Sequence, residues 1–256
     1  MISSDREEEK VALVLILGQS NIANHGAYLD PFVYIPKSPV YYYNGDNIDI
    51  FTSPIGNKRH FASGNASSLF PYLGDMMVEK LDYDKIIFIN AAIGGTTVSE
   101  WVPNSGKCIK HVTGDDFIYS NGLFDRIIEA KDISNKLGLP FTHVLWHQGE
   151  DDNVHGTTKQ DYKETFIKVK QGIRELNIEA PIYMARVSFT SAKSIPMPRF
   201  DENIIAAQNE LIRENKDILE GPNTDVIGIE DRYDGSHFNK NGLKKHAELW
   251  IESLTK

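Results

Sequence analysis

Residues 11–21 read Val-Ala-Leu-Val-Leu-Ile-Leu-Gly-Gln-Ser-Asn. Residues 11–17 form an unbroken apolar run that does not alternate with polar residues. A strand with one wet face alternates, whereas a strand covered on both faces does not. The run therefore predicts a buried strand of a parallel sheet. A bilayer span needs about 20 apolar residues, so this run is too short to cross a membrane. Four further runs repeat the pattern at 86–92, 142–147, 181–187 and, most weakly, 224–229. Between them, apolar residues recur at helical spacing over 69–81, 123–137, 161–176, 204–219 and 243–254. Gly138 marks the stop of the second helix. Strand alternating with helix along the chain predicts an α/β fold, with helices on both faces of a mostly parallel sheet.

The chain has 256 residues, of which 41% are hydrophobic and 25% charged, an ordinary globular composition. Residues 1–10 read as a polar lead-in and 11–256 as a single domain. The lead-in is acidic where an export signal would be basic and then apolar. This predicts a protein that is cytoplasmic as synthesised, or one carried on a phage or prophage particle. The net charge of −9 disfavours a phosphate backbone as partner, so neither nucleic acid nor membrane is expected. Cys108 is the only cysteine, which excludes an internal disulfide and a thiolate zinc cluster. The stretch 26–64, with Tyr41, Tyr42 and Tyr43, reads as an insertion with short strands, and 94–121 and 188–199 read as long loops.

In an open parallel sheet, ligands sit beyond the carboxyl ends of the strands. Four polar blocks stand there: residues 18–21 (Gly-Gln-Ser-Asn), 94–97 (Gly-Gly-Thr-Thr), 148–152 (Gln-Gly-Glu-Asp-Asp) and 234–237 (Asp-Gly-Ser-His). Together they hold what acyl transfer needs. A serine hydroxyl such as that of Ser20 is a weak nucleophile until a base takes its proton. His237 can be that base, and Asp234 can orient its imidazole. The oxyanion needs fixed donors, which the backbone N–H of Ser20, an N–H at the glycine turn and the amide of Gln148 can supply.

These ordered blocks resemble those of the SGNH (GDSL-like) hydrolase superfamily. They are most similar to its sialate and carbohydrate O-acetylesterases, in which the third block carries Gln in place of Asn. The resemblance implies a three-layer α/β/α sandwich around about five parallel strands, with no metal and no organic cofactor. It carries over Ser20 as nucleophile, His237 as base and Asp234 as acid. It also carries over Ser20, Gly95 and Gln148 as oxyanion positions, with Gly94 as the alternative glycine. The activity implied is removal of acetyl from an acetylated carbohydrate: sialic acid, xylan or a bacterial or capsular polysaccharide. His147 stands where this branch commonly has an aromatic residue, and Ile22 where Met is common, which bears on the acceptor rather than the chemistry. The alternatives are an esterase, lipase or thioesterase acting on non-sugar esters, and a glycan-binding module without catalysis.

Around this core, Asn21 and Glu150 are expected to brace the site and Trp101 to line the acyl or sugar pocket. Arg186, at the end of the fourth run, can meet an acidic sugar or pair with a nearby carboxylate. Asp151 reads as solvated. His147 and Glu150 are three residues apart with no third ligand in evidence, so no metal site is expected. His25, His60, His111, His143, His155 and His246 are assigned to structure or surface.

Overall fold

β1 (Val11–Gly18) lies in the middle of a seven-stranded sheet. The computed structural model describes residues 9–28, 30, 34–44, 46–51, 53, 66–112, 115–191 and 200–256. The polar lead-in up to residue 8, His60 and residues 192–199 of the expected second loop lie outside the described residues.

β1 pairs in parallel with β4 (Lys85–Asn90) on one side and β7 (His143–His147) on the other. Beyond β7 come β8 (Ile182–Arg186) and β9 (Ile218–Asn223), also parallel. Beyond β4 lie β2 (Val40–Tyr43), parallel, and β3 (Ile48–Ile50), antiparallel. Among the described residues the sheet thus has seven strands rather than about five, because the tyrosine segment adds its two short strands to one edge.

The unalternating character of β1 has its reason in two cores. Leu13, Leu15 and Leu17 face one layer, and Ala12, Val14 and Ile16 face the other, all with no exposed surface. Burying each Leu or Ile side chain contributes roughly 1.5–3 kcal/mol, which fixes the strand centrally. The first core is closed by α2 (Phe124–Leu137), α4 (Lys159–Glu175) and α5 (Glu202–Glu214), through Ile127, Phe166, Val169 and Leu211. The second is closed by α1 (Phe70–Lys80) and α6 (Lys240–Leu254), through Leu73, Met77, Leu243 and Trp250. The result is an α/β/α sandwich. No helix among the described residues is long and apolar enough to cross a membrane.

Two element boundaries depart from expectation. The helix expected over 204–219 ends at Glu214, where Asn215 turns extended and its side-chain amide donates to the carbonyl of Leu211. Leu219 belongs instead to β9. The strand expected at 224–229 is two short 3-10 turns, because the Asn223 side chain accepts the N–H of Asp225 and curls the chain. The expected loop at 94–121 contains a 3-10 turn, Val98–Trp101, and a separate hairpin of β5 (Cys108–Val112) and β6 (Asp115–Tyr119). A short helix, α3 (Glu150–His155), follows β7 directly.

Candidate active site

The carboxyl ends of β1, β4 and β7 form one rim. Gly18 closes β1 at φ +126°, and a Cβ there would stand 2.0 Å from the His147 carbonyl oxygen. Only glycine lets β1 end this close to β7, with the Gln19 N–H donating to that carbonyl at 3.0 Å. The chain then folds into a tight turn, with Ile22 and Ala23 donating to the Gln19 carbonyl. This turn presents Ser20, largely buried at 7% exposure. The side-chain oxygen of Gln19 accepts the Asp151 N–H at 3.2 Å, tying the Ser20 turn to the start of α3.

At the other end of the chain, Asp234 organises its own turn. Its Oδ1 accepts the N–H groups of Ser236 (2.8 Å) and His237 (2.7 Å), and its Oδ2 lies 2.6 Å from His237 Nδ1. Burial raises the pKa of this carboxyl, but the hydrogen bonds from His237 outweigh it and hold the group well below the usual carboxylate range. The His237 ring is stacked between His25 (centroids 5.7 Å) and Tyr233 (5.9 Å).

Several contacts join the two turns. Asn21 donates from Nδ2 to the Ser236 carbonyl at 3.3 Å, so the neighbour of Ser20 meets the neighbour of His237. The same amide donates to Glu150 Oε1 at 3.0 Å. Gly94 closes the group: a Cβ on it would lie 3.3 Å from Ser20 Cβ and 3.1 Å from His25 Nε2. Gly95, at φ +64°, is exposed. Glu150 is buried, and desolvation pushes its pKa up to about 7 against the opposing hydrogen bond from Asn21.

Gln148 is wholly buried beneath the glycine turn. Its Nε2 donates to the Thr96 carbonyl at 2.9 Å and to Asp152 Oδ2. Its backbone carbonyl accepts from Tyr162 Oη (2.8 Å) and Gln208 Nε2 (3.1 Å). The amide expected to donate to an oxyanion is thus already engaged, by the Thr96 carbonyl and by Asp152 on α3.

One expected pocket residue stands elsewhere, and Arg186 makes the carboxylate pair expected of it. Trp101 has no exposed surface; it packs edge-on against Trp146 at 5.7 Å and donates to Thr96 Oγ1, so it offers no face to a ligand. Arg186, on β8 two strands from β1, pairs with Glu220 at 2.8 Å and donates to the Gly221 carbonyl on β9. Asp151, expected in solvent, is half-buried.

Sequence reading missed four residues. His25 sits within the group rather than in the scaffold. Asp152 accepts the Val98 N–H at 2.8 Å as well as the Gln148 amide. Asp225 accepts the N–H groups of Ser188 and Phe189, both at 3.0 Å. Arg232 is buried between the rings of Phe189 and Phe238, its guanidinium carbon 4.3 Å from each, and it donates to the Ser236 carbonyl. An Arg inside the core has no signature in a linear pattern. A histidine five residues after the candidate nucleophile was the one available signal.

Comparisons with known proteins bear on the family and the fold. Residues 10–256 match the family described as carbohydrate esterase, sialic acid-specific acetylesterase. A comparison with curated proteins finds no match. Among solved structures, a protein of Arabidopsis thaliana is similar at 17% identity, with 97% of each chain covered and a TM-score of 0.68. The psychrotrophic esterase EstA from Pseudoalteromonas follows at 14% identity, covering 94% of this chain and 96% of that one, TM-score 0.52. A variant of Axe2, an acetyl-xylooligosaccharide esterase from Geobacillus, has 13% identity over 97% and 96%, TM-score 0.54. At these identities the structural likeness speaks for the fold, while the family match spans nearly the whole chain. The chain belongs to the sialic acid-specific acetylesterase family of carbohydrate esterases and is a carboxylic ester hydrolase.

Proposed function

We propose that this esterase removes acetyl groups from hydroxyls of a carbohydrate, with Ser20, His237 and Asp234 as its triad. The observation that carries the reading is the 2.6 Å contact between Asp234 Oδ2 and His237 Nδ1, in a turn tied to that of Ser20 through Asn21 and the Ser236 carbonyl. With Nδ1–H facing the carboxylate, Nε2 is left as the basic atom. Ser20 Oγ attacks the ester carbonyl carbon as its proton passes to His237 Nε2. The tetrahedral oxyanion is met by the N–H groups of Ser20 and Gly95. Gln148 serves the same hole by holding the Thr96 carbonyl beneath it. Collapse breaks the bond to the sugar oxygen, which takes the proton from His237 and leaves as an alcohol. Water then attacks acetyl-Ser20 by the same route and frees acetate. The family match supports an acetylated sugar, sialic acid foremost, as the substrate class.

The test is acetate release from defined acetylated sugars, run beside esters of long-chain fatty acids, with wild type and Ser20→Ala. The reading expects turnover of acetylated sugars by wild type and none by Ser20→Ala. Preference for long-chain esters, or unchanged activity in Ser20→Ala, would overturn it.

A further inference from the structure

The turn at residues 94–97 poses a physical problem. A donor for an oxyanion must be held rigidly, because its effect depends on being oriented before the charge appears. Yet Gly95 is exposed, adopts a left-handed conformation, and has nothing within 4 Å of where a Cβ would stand. The space on the Cβ side of Gly95 is open, and glycine has the softest backbone of any residue. Hydrogen bonds must orient it. From beneath, Gln148 holds the Thr96 carbonyl. From above, the β5–β6 hairpin supplies Lys110, whose Nζ donates to the Gly95 carbonyl at 2.7 Å.

Lys110 is itself held. It pairs with Glu100 Oε1 at 2.6 Å, and its side chain is only 16% exposed. Glu100 Oε2 accepts the Thr97 N–H at 2.9 Å, and its Oε1 accepts from Cys108 Sγ. A lysine and a glutamate thus clasp both sides of the glycine turn. A two-stranded hairpin is marginal by itself. This one is anchored at its inner side by buried Tyr119, whose hydroxyl accepts from Arg126 at 2.7 Å. Its cross-strand pair Ile109 and Ile118 is more than half exposed.

We propose that Lys110 is a positioning residue of the reaction: from the hairpin, its ammonium holds the Gly95 carbonyl, which fixes the Gly95–Thr96 peptide, restricts ψ of Gly95 and so limits the swing of the adjoining Gly94–Gly95 peptide that carries the oxyanion-facing N–H. This inference rests on the reading of Gly95 as an oxyanion donor given above. A group that orients a transition-state donor changes kcat, whereas one that merely binds substrate changes KM. Lys110→Met is therefore expected to lower kcat on p-nitrophenyl acetate about tenfold with KM within about twofold, while Lys110→Arg retains most of the rate. Ile118→Ser, on the outer face of the hairpin, is expected to match wild type. The rate of labelling by a fluorophosphonate is measured in parallel, since phosphonylation uses the same donors. Wild type labelled at Ser20, with Lys110→Met labelled and turning over as fast, would overturn the clamp alone. Wild type not labelled at Ser20 would overturn the esterase reading and the clamp with it. An equal loss in Lys110→Met, Lys110→Arg and Ile118→Ser would assign the effect to hairpin collapse and also overturn it.

Discussion

Asp234 accepts three hydrogen bonds within a four-residue turn, two from backbone N–H groups and one at the imidazole of His237. Replacing it with Asn keeps the shape but offers an amide donor to Nδ1, which favours the wrong imidazole tautomer. Asp234→Asn is expected to lower kcat by up to about 10⁴-fold with little change in fold, measured on p-nitrophenyl acetate at saturation. Glu150 behaves differently. Its ordinary pKa of 4.5 is raised by burial to about 7, so the folded protein holds a proton there that the unfolded chain gives up. Where the folded state binds more protons, stability falls as pH rises. This group's contribution is complete below pH 4.5, declines through 7 and is lost above it. Glu150→Gln removes the titration and keeps an oxygen for Asn21. Thermal melts across this range should show a shallower decline for the variant, which becomes more stable than wild type above pH 7. Identical slopes would contradict the assignment.

At the scale of elements, the strand ends decide the site. β1 must stop at a residue with no side chain, since the His147 carbonyl occupies the place of a Cβ at Gly18. Gly18→Ala is expected to cost roughly 3 kcal/mol or more, read from urea unfolding, because it adds backbone strain to a clash. At the start of α5, Asp201 accepts the N–H of Asn203 at 2.8 Å, so Asp201→Ala is expected to cost about 1 kcal/mol in the same assay. The sheet's central strands and all the long helices were legible, because buried strands and amphipathic helices leave periodic marks. What misled was the C-terminal edge. β9 carries Glu220 and Pro222, which suit an edge strand but break an apolar run. The neighbouring stretch at 224–229 is apolar yet curls under the side chain of Asn223. The hairpin over the site was read as loop, since two strands packed on little else show no strong pattern.

Across the whole molecule, residues from four distant segments are held together by a few buried polar groups. Arg232 joins them from below: it donates to the carbonyls of Ile227 and Ser236 between two aromatic rings. Burial lowers its pKa to about 10 against the pull of Glu150 and Asp225, so it stays charged. Arg232→Ala is expected to lower global stability by about 3 kcal/mol, seen by denaturant unfolding, because it leaves buried carbonyls and carboxylates without their cation. The candidate residues Ser20 and Gln148 were legible in the sequence because they stand just after β1 and β7, whereas Asp234 and His237 follow a 3-10 turn and were found by their own spacing. Their supports were not, since Asp152, Asp225 and Arg232 acquire meaning only when remote segments meet. Trp101 failed as a pocket residue for a related reason: an aromatic near a site in sequence is often what its core is made of. The proposed nucleophile, Ser20, is read directly from the mass of each peptide after wild-type protein reacts with a fluorophosphonate. A single phosphonyl group is expected on Ser20, absent from His237→Ala at matched time. A modified residue other than Ser20, or equal labelling in His237→Ala, would contradict it.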